Sequence, residues 1–196
     1  MDQDQDTEFD APTAYAELFE KTANDSAAWV DSAQALAAAA EAVKRDDDNT
    51  GGGKVFADTG NMTPKRGAYA MLLGYAIECA LKALLLRNGH KLGTATGTLE
   101  PRFKSHKLVN LVDHTGTDVS AAEREALVWV SCYIEYMGRY PIPTKWEKWL
   151  DEPAIGFKMV SDQDQNLVTV WSDAEHLSAA EALAARLLRE LHKGSH

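Results

Sequence analysis

The sequence has few cysteines, no leader-like start and no long hydrophobic run, and each absence excludes a class of protein. Two cysteines among 196 residues do not make the disulfide framework of a small secreted scaffold. The first ten residues have neither the basic nor the apolar region of a signal peptide. The longest uncharged apolar run, residues 68–77, is about half the ~20 residues that span a bilayer. We therefore expect a cytoplasmic protein without a membrane partner.

Motifs for common cofactors and metals are missing as well. The GGGK segment, residues 51–54, lacks the flanking Gly and Ser/Thr of a phosphate-binding loop, and no GxGxxG occurs. No HExxH or paired CxxC supplies zinc ligands. Cys79 and Cys132 each lie on the apolar face of a predicted helix, where a buried thiol is the expected role. The sequence therefore predicts neither a cofactor nor a metal.

Charge is distributed unevenly along the chain. The formal net charge is −10, and five acids stand among the first ten residues, so that residues 1–11 are predicted to be a disordered acidic tail. Residues 54–107 hold nine basic residues against three acids. A basic region of this kind permits an anionic partner such as RNA or a nucleotide on one face, because local potential steers a polyanion. It is equally typical of a solvated helix face.

Hydrophobic periodicity predicts an all-α fold, an up-and-down bundle of about five helices in one domain over residues 12–193. Residues 194–196 resemble a vector-derived remnant and carry no functional argument. Residues 45–54 are predicted to be a loop, and apolar residues around a polar turn predict one small β-hairpin near 155–171. The helix boundaries follow from capping signals: Asp25 or Ser26, Thr63, Ser105, Ser120 with Glu123, and Ser178 with Glu181 at the starts, and Gly89 and Gly138 at the ends.

Three separated blocks of residues carry a resemblance to a known family. They are ECALKALLLRNG at residues 78–89, SHKL at 105–108 and YMGRYP at 136–141. In this order they resemble the HEPN family (higher eukaryote and prokaryote nucleotide-binding). Its members typically show an E-x-x-LKALL-x3-G helix, a T/S-H-D-L start to a short helix and an RYP after the next helix. The resemblance covers about residues 64–143 and implies a helical bundle that forms a homodimer.

The resemblance also implies a function. Many HEPN proteins are metal-independent endoribonucleases in which an R-x4-6-H motif from each subunit acts on RNA. Arg139 takes the Arg position, but RYPIPTKW contains no His at the required spacing, and Lys107 replaces the usual Asp. The resemblance therefore implies a non-catalytic member of a bacterial toxin–antitoxin or defence system. Such a member binds RNA, a nucleotide or a partner protein such as a nucleotidyltransferase.

Two alternatives remain open. One is an active endoribonuclease that uses Arg139 with His106 as a substitute base, and the other is a pure protein-interaction module. The candidate residues also have structural interpretations. Glu78 and Lys82 form either an ordinary i,i+4 surface pair or a polar site in which Glu78 faces a dimer cleft and Arg139. Arg139 contacts phosphate or holds a turn, and His106 either acts as a base or stabilises a helix start. The candidate binding residues are Glu78, Lys82, Lys104, Lys107, Arg139 and Tyr140.

Overall fold

Helix dominates the part of the chain that the computed structural model describes, residues 11–49, 64–137, 158–161, 167–170 and 173–193. The predicted all-α class is confirmed. The described elements in chain order are α1 (Ala11–Ala23), α2 (Ser26–Asn49), α3 (Pro64–Arg87), a 3₁₀ turn (Pro101–Phe103), α4 (Leu108–Thr115), α5 (Ala121–Cys132), a π-helical segment (Tyr133–Met137), β1 (Lys158–Ser161), β2 (Leu167–Val170) and α6 (Asp173–Lys193).

Helix α3 is the centre of the fold. It packs against α2, α4, α5 and α6, so that apolar residues on every side of it are buried. It is long and apolar enough to cross a bilayer by length and composition, and 72% of the relevant 18-residue window is buried inside the protein. The helix ends as predicted, because Gly89 adopts a left-handed conformation with φ +84° and its amide donates to Leu86 O at 3.0 Å.

Helix α2 begins where the sequence predicts and ends later. The carboxylate of Asp25 accepts a hydrogen bond from the amide of Ala27 at 2.9 Å and caps the helix. The predicted loop over residues 45–54 is wrong at its start, because α2 continues to Asn49. Its acidic end is stabilised from outside the helix, since Asp46 forms an ion pair with Lys65 of α3 at 2.8 Å.

The sequence predicts capping boxes at Ser120 and Ser178, and the one at Ser120 caps a helix. The Ser120 hydroxyl accepts from the amide of Glu123 at 3.2 Å, and the Glu123 carboxylate accepts from the amide of Ser120 at 2.8 Å, which confirms the start of α5. The prediction at Ser178 is wrong, because α6 already begins at Asp173. The carboxylate of Glu181 instead accepts from Tyr69 Oη of α3 at 2.6 Å and from Lys44 Nζ of α2 at 2.8 Å.

The predicted β-hairpin lies within the described residues. Strands β1 and β2 pair antiparallel, with Lys158 opposite Val170 and Ser161 opposite Leu167. The predicted acidic tail over residues 1–11 is one residue too long, because α1 begins at Ala11, and the rest of the tail lies outside the described residues. The Thr63 cap, the predicted helix end at Gly138 and residues 194–196 also lie outside the described residues. The predicted helix that starts after Ser120 is α-helical to Cys132 and continues as the π-helical segment.

Helix α3 approaches this π-helical segment closely at Gly74. A β-carbon built on Gly74 would lie 2.5 Å from Val130 Cγ1 and 2.7 Å from Ile134 Cγ1, well inside van der Waals contact. Val130 and Ile134 are fully buried. Glycine is therefore required here by space and not by backbone conformation.

We expect Gly74→Ala to lower the free energy of unfolding by about 1–3 kcal/mol, because the added methyl group overpacks a filled interface. In open space the same change would stabilise a helix by roughly 0.5–1 kcal/mol, since alanine is the better helix former. Urea unfolding monitored by circular dichroism therefore tests the sign as well as the size. A more stable variant would contradict the close approach of the two helices.

Candidate functional site

The candidate site is built around a buried ion pair on α3. Lys82 Nζ donates to Glu78 Oε1 at 2.6 Å, and each residue is only 4% exposed. The interpretation of these residues as an i,i+4 surface pair is therefore wrong, because α2 and the segment that precedes α4 cover this face of α3. A surface pair of this spacing contributes a few tenths of a kcal/mol, whereas a buried pair must offset the desolvation of two charges.

The ammonium group of Lys82 has a second contact, with an aromatic ring of α2. Lys82 Nζ lies over the Trp29 ring, 4.9 Å from its centroid, which is within cation–π range. The ring is held in place because Trp29 Nε1 donates to the carbonyl oxygen of Ala23 at 2.8 Å. Sequence reasoning missed this role of Trp29, since no local pattern relates it to Lys82.

His106 takes the other oxygen of the same carboxylate. Its Nδ1 lies 2.9 Å from Glu78 Oε2, and the edge of the Tyr75 ring approaches the imidazole at a centroid distance of 6.0 Å. The side chain of His106 is 43% exposed, whereas that of Glu78 is 6% exposed. Glu78 therefore connects a buried ammonium to a histidine that reaches solvent.

The helix start after His106 differs from the prediction. Helix α4 begins at Leu108 and not at His106, and Lys107 is its N-cap without a side-chain hydrogen bond. The Ser105 hydroxyl accepts from the amide of Lys107 at 3.0 Å. The amide of Leu108 donates to Ser131 Oγ of α5 at 3.0 Å, so a serine from another helix satisfies one of the amides at the start of α4.

A buried aromatic residue anchors the segment that carries these side chains. Phe103, in the 3₁₀ turn, is fully buried between the edges of His90 and His114, at centroid distances of 5.8 and 5.7 Å. Lys104 and Lys107 follow it and are exposed. The segment 104–107 thus presents two lysines and the half-exposed imidazole of His106 on one short stretch of surface.

A cleft of about 220 Å³ opens beside this segment. Its walls come from α4, α5 and the π-helical segment, and they include Lys107, Asn110, Ser131 and Glu135. A π-helical turn is frequently associated with a functional site. The cleft therefore provides space next to the basic segment for part of a bound molecule.

The expected buried thiol is found at Cys132, whereas Cys79 is only partly buried. Cys132 is buried, and its Sγ lies 3.4 Å from the carbonyl oxygen of Val128. Burial, followed by the negative charge of Glu78, raises the pKa of the half-buried Cys79 to about 11. Cys79 is therefore a neutral thiol at physiological pH, and a thiolate nucleophile is not available there.

The structure brings together some of the predicted site residues. Glu78, Lys82 and His106 are in direct contact, and Lys104 and Lys107 flank His106 along the chain. Arg139 and Tyr140 lie outside the described residues, so their contacts, including the expected pairing of Glu78 with Arg139, stay predictions. Within the described residues no group of three or more His, Cys, Asp or Glu side chains is arranged to hold a metal ion.

This arrangement can perform two kinds of chemistry. Lysine and histidine side chains that reach solvent bind phosphate oxygens by charge and hydrogen bonds. A histidine oriented by a carboxylate can also accept a proton from a hydroxyl group, as in catalytic sites where a third group orients the base. In both kinds of chemistry, the contact with Glu78 positions the imidazole of His106.

We expect Lys82→Met to lower the free energy of unfolding by about 3–5 kcal/mol, because it leaves the buried carboxylate of Glu78 without its ammonium partner. The double variant Glu78→Gln/Lys82→Met is expected to recover much of this loss, since no uncompensated charge remains. Chemical denaturation of the single and double variants measures the coupling.

The matched control is Lys65→Met. It breaks the ion pair with Asp46, in which the lysine and aspartate side chains are 44% and 65% exposed, and it is expected to cost less than about 1 kcal/mol. If Lys82→Met and Lys65→Met cost the same, the pair on α3 is not buried as described.

No protein-family model, curated protein or solved structure matches the chain. The resemblance to HEPN proteins is therefore carried by the three sequence blocks. The first block lies on the C-terminal half of α3, and the second leads into α4. The third begins at the end of the π-helical segment and continues outside the described residues. A function must be argued from the side chains of the site.

Proposed function

We propose that this chain is a HEPN-like, non-catalytic protein that binds RNA through the basic segment 104–107. The observation that carries the proposal is the half-exposed His106, which the buried Glu78–Lys82 pair holds between two exposed lysines. A fixed cationic or hydrogen-bonding group beside mobile lysines is a common way to bind a phosphate backbone.

The charge distribution supports an anionic ligand at this place. The chain as a whole carries a net charge of −10, but residues 54–107 have six more bases than acids. Two of the three acids are paired with bases of the same region, Glu78 with Lys82 and Glu100 with Arg102 at 3.4 Å, and the exposed Lys104 and Lys107 give the segment its positive charge. A local positive potential can attract a polyanion to a protein that is acidic overall.

The resemblance adds the biological setting to the proposal. It suggests a cytoplasmic homodimer in a toxin–antitoxin or defence system, with a partner protein such as a nucleotidyltransferase. Arg139 and Tyr140 would extend the phosphate-binding surface. The missing His after Arg139 supports binding without R-x4-6-H cleavage.

We expect the protein to bind a fluorescently labelled single-stranded RNA with an affinity that falls as salt is added. The logarithm of the association constant should decrease linearly with the logarithm of the salt concentration, because phosphate contacts release counterions. The double variant Lys104→Ala/Lys107→Ala should reduce this slope by about 0.7 for each phosphate contact that is lost.

The control is Lys21→Ala/Lys193→Ala, which removes the same charge from exposed last turns of α1 and α6. This variant should keep the salt dependence of the wild type. Equal losses in the two double variants would mean that net charge, and not the segment 104–107, determines binding. Absence of RNA binding by the wild type would leave the protein-interaction module as the better description.

A metal-independent endoribonuclease is the second candidate, and one observation favours it. Nδ1 of His106 is bonded to a buried carboxylate while the imidazole reaches solvent, which is how a general base is commonly oriented. In this candidate Arg139 stabilises phosphate charge and His106 accepts the proton of the attacking hydroxyl group.

Our leading proposal predicts that purified protein leaves a mixed pool of tRNA and mRNA intact in the presence of EDTA. Arg139→Ala, prepared identically, serves as the matched variant. Cleavage by the wild type and not by the variant would establish the second candidate in place of the first. Equal cleavage by both would identify a contaminating nuclease.

A further inference from the structure

The groups around Glu78 determine which nitrogen of the His106 ring carries a hydrogen atom. An ionised carboxylate only accepts hydrogen bonds, and here one oxygen faces the ammonium of Lys82 at 2.6 Å. The other oxygen lies 2.9 Å from Nδ1 of His106. Nδ1 must therefore carry a hydrogen atom. In the neutral ring the second nitrogen, Nε2, is then an acceptor with a free lone pair.

The carboxylate that imposes this tautomer is itself held firmly. Lys82 is buried between Glu78 and the ring of Trp29, and the indole of Trp29 is bonded to the backbone of α1. The buried ammonium group of Lys82 therefore compensates the negative charge of Glu78 without help from solvent. On the ring side, the contact with Tyr75 restricts rotation of the imidazole.

Nε2 of His106 is available to a ligand. The side chain is 43% exposed, and within the described part of the chain Nε2 makes no hydrogen bond. Along the backbone it lies between two exposed lysines, Lys104 and Lys107. With a neutral imidazole at His106, the segment combines one hydrogen-bond acceptor with two cations.

An acceptor between cations fits a ligand that presents a hydroxyl donor next to phosphates. A phosphate diester offers only acceptor oxygens, so it can satisfy the lysines but not the lone pair of a neutral imidazole. A ribose adds the 2′-hydroxyl, which is both donor and acceptor and which deoxyribose lacks. Within the sugar–phosphate backbone, the 2′-hydroxyl is thus the hydrogen-bond donor that RNA has and DNA lacks.

We propose that Nε2 of His106 accepts a hydrogen bond from a ribose 2′-hydroxyl and makes this site selective for RNA over DNA, with Glu78 as the positioning residue that fixes the ring. The inference rests on the proposed function, because it assigns an atom and a sugar specificity to the same binding site. It does not require cleavage of the RNA.

Fluorescence anisotropy with an adenine-only RNA oligonucleotide and the matching DNA oligonucleotide tests the assignment. The wild type is expected to bind the RNA about 5- to 10-fold more tightly, which is the contribution of roughly one hydrogen bond. His106→Asn keeps a side-chain N–H that can reach Glu78 but has no acceptor at the position of Nε2. This variant should bind RNA as weakly as DNA and leave DNA binding unchanged.

His114→Asn is the matched control, because His114 lies on α4 and contacts Phe103. It should retain the preference for RNA.

The role of Glu78 is tested separately by nitrogen-15 NMR spectra of the histidine rings at alkaline pH. In the wild type His106 should be protonated at Nδ1, and Glu78→Gln should shift the population towards the Nε2–H form and lower the preference for RNA.

The outcomes separate this inference from the proposed function. If the wild type binds neither oligonucleotide, both fail. If it binds RNA and DNA equally, or if His106→Asn retains the full preference for RNA, RNA binding stands and the assignment of the 2′-hydroxyl contact is wrong. An Nε2–H tautomer in the wild type would also overturn the role given to Glu78.

Discussion

The buried carboxylate of Glu78 is the constraint on which the site depends. Removing a carboxylate and an ammonium group from water costs several kcal/mol for each ion, and the cost is offset only if both ions are well paired. Here Glu78 uses one oxygen for Lys82 and the other for His106, and Lys82 also faces the ring of Trp29. Any shift of α2, or of the segment before α4, would leave one of these groups without compensation. The pair therefore fixes three parts of the chain that are far apart in sequence.

The packing around α3 makes such a pair possible. A helix buried on all sides has no exposed face on which a charged residue can be solvated, so a charge in its middle must be paired locally. The i,i+4 spacing of Glu78 and Lys82 supplies that partner within one turn. At Gly74, one turn earlier, the helix instead has no side chain at all, because α5 and the π-helical segment fill the space. Helix α3 thus carries a close helix contact at Gly74 and, one turn later, a buried ion pair that begins at Glu78.

Local signals predicted much of the fold. The capping box at Ser120, the left-handed stop at Gly89 and the β-hairpin depend on residues a few positions apart, and the sequence shows them directly. The same pattern failed at Ser178, because helical residues before it extend α6 and the carboxylate of Glu181 bonds α2 and α3 instead. Whether a capping pattern caps a helix depends on long-range partners, which a local motif does not contain.

The candidate site was predictable in its residues but not in its arrangement. The three sequence blocks contain Glu78, Lys82 and His106. However, the i,i+4 spacing of Glu78 and Lys82 is the same for an exposed pair as for a buried one, so the sequence does not show their burial. Burial of the pair depends on Trp29, and its contact with His106 spans 28 positions. Similarly, the start of α4 is capped by Ser131 of another helix, which no pattern near Ser105 predicts.

The number of histidines at the site bears on whether the protein binds RNA or cleaves it. Cleavage by a 2′-hydroxyl group needs a base for the nucleophile and an acid for the leaving oxygen, and these are usually two groups on opposite sides of the phosphorus. Among the histidines that the structure describes, His106 is the one that contacts Glu78, since His90 and His114 pack on Phe103 and two further histidines lie on α6. A single oriented imidazole can hold a 2′-hydroxyl without protonating the leaving group. The proposed recognition of ribose therefore does not depend on cleavage of the RNA.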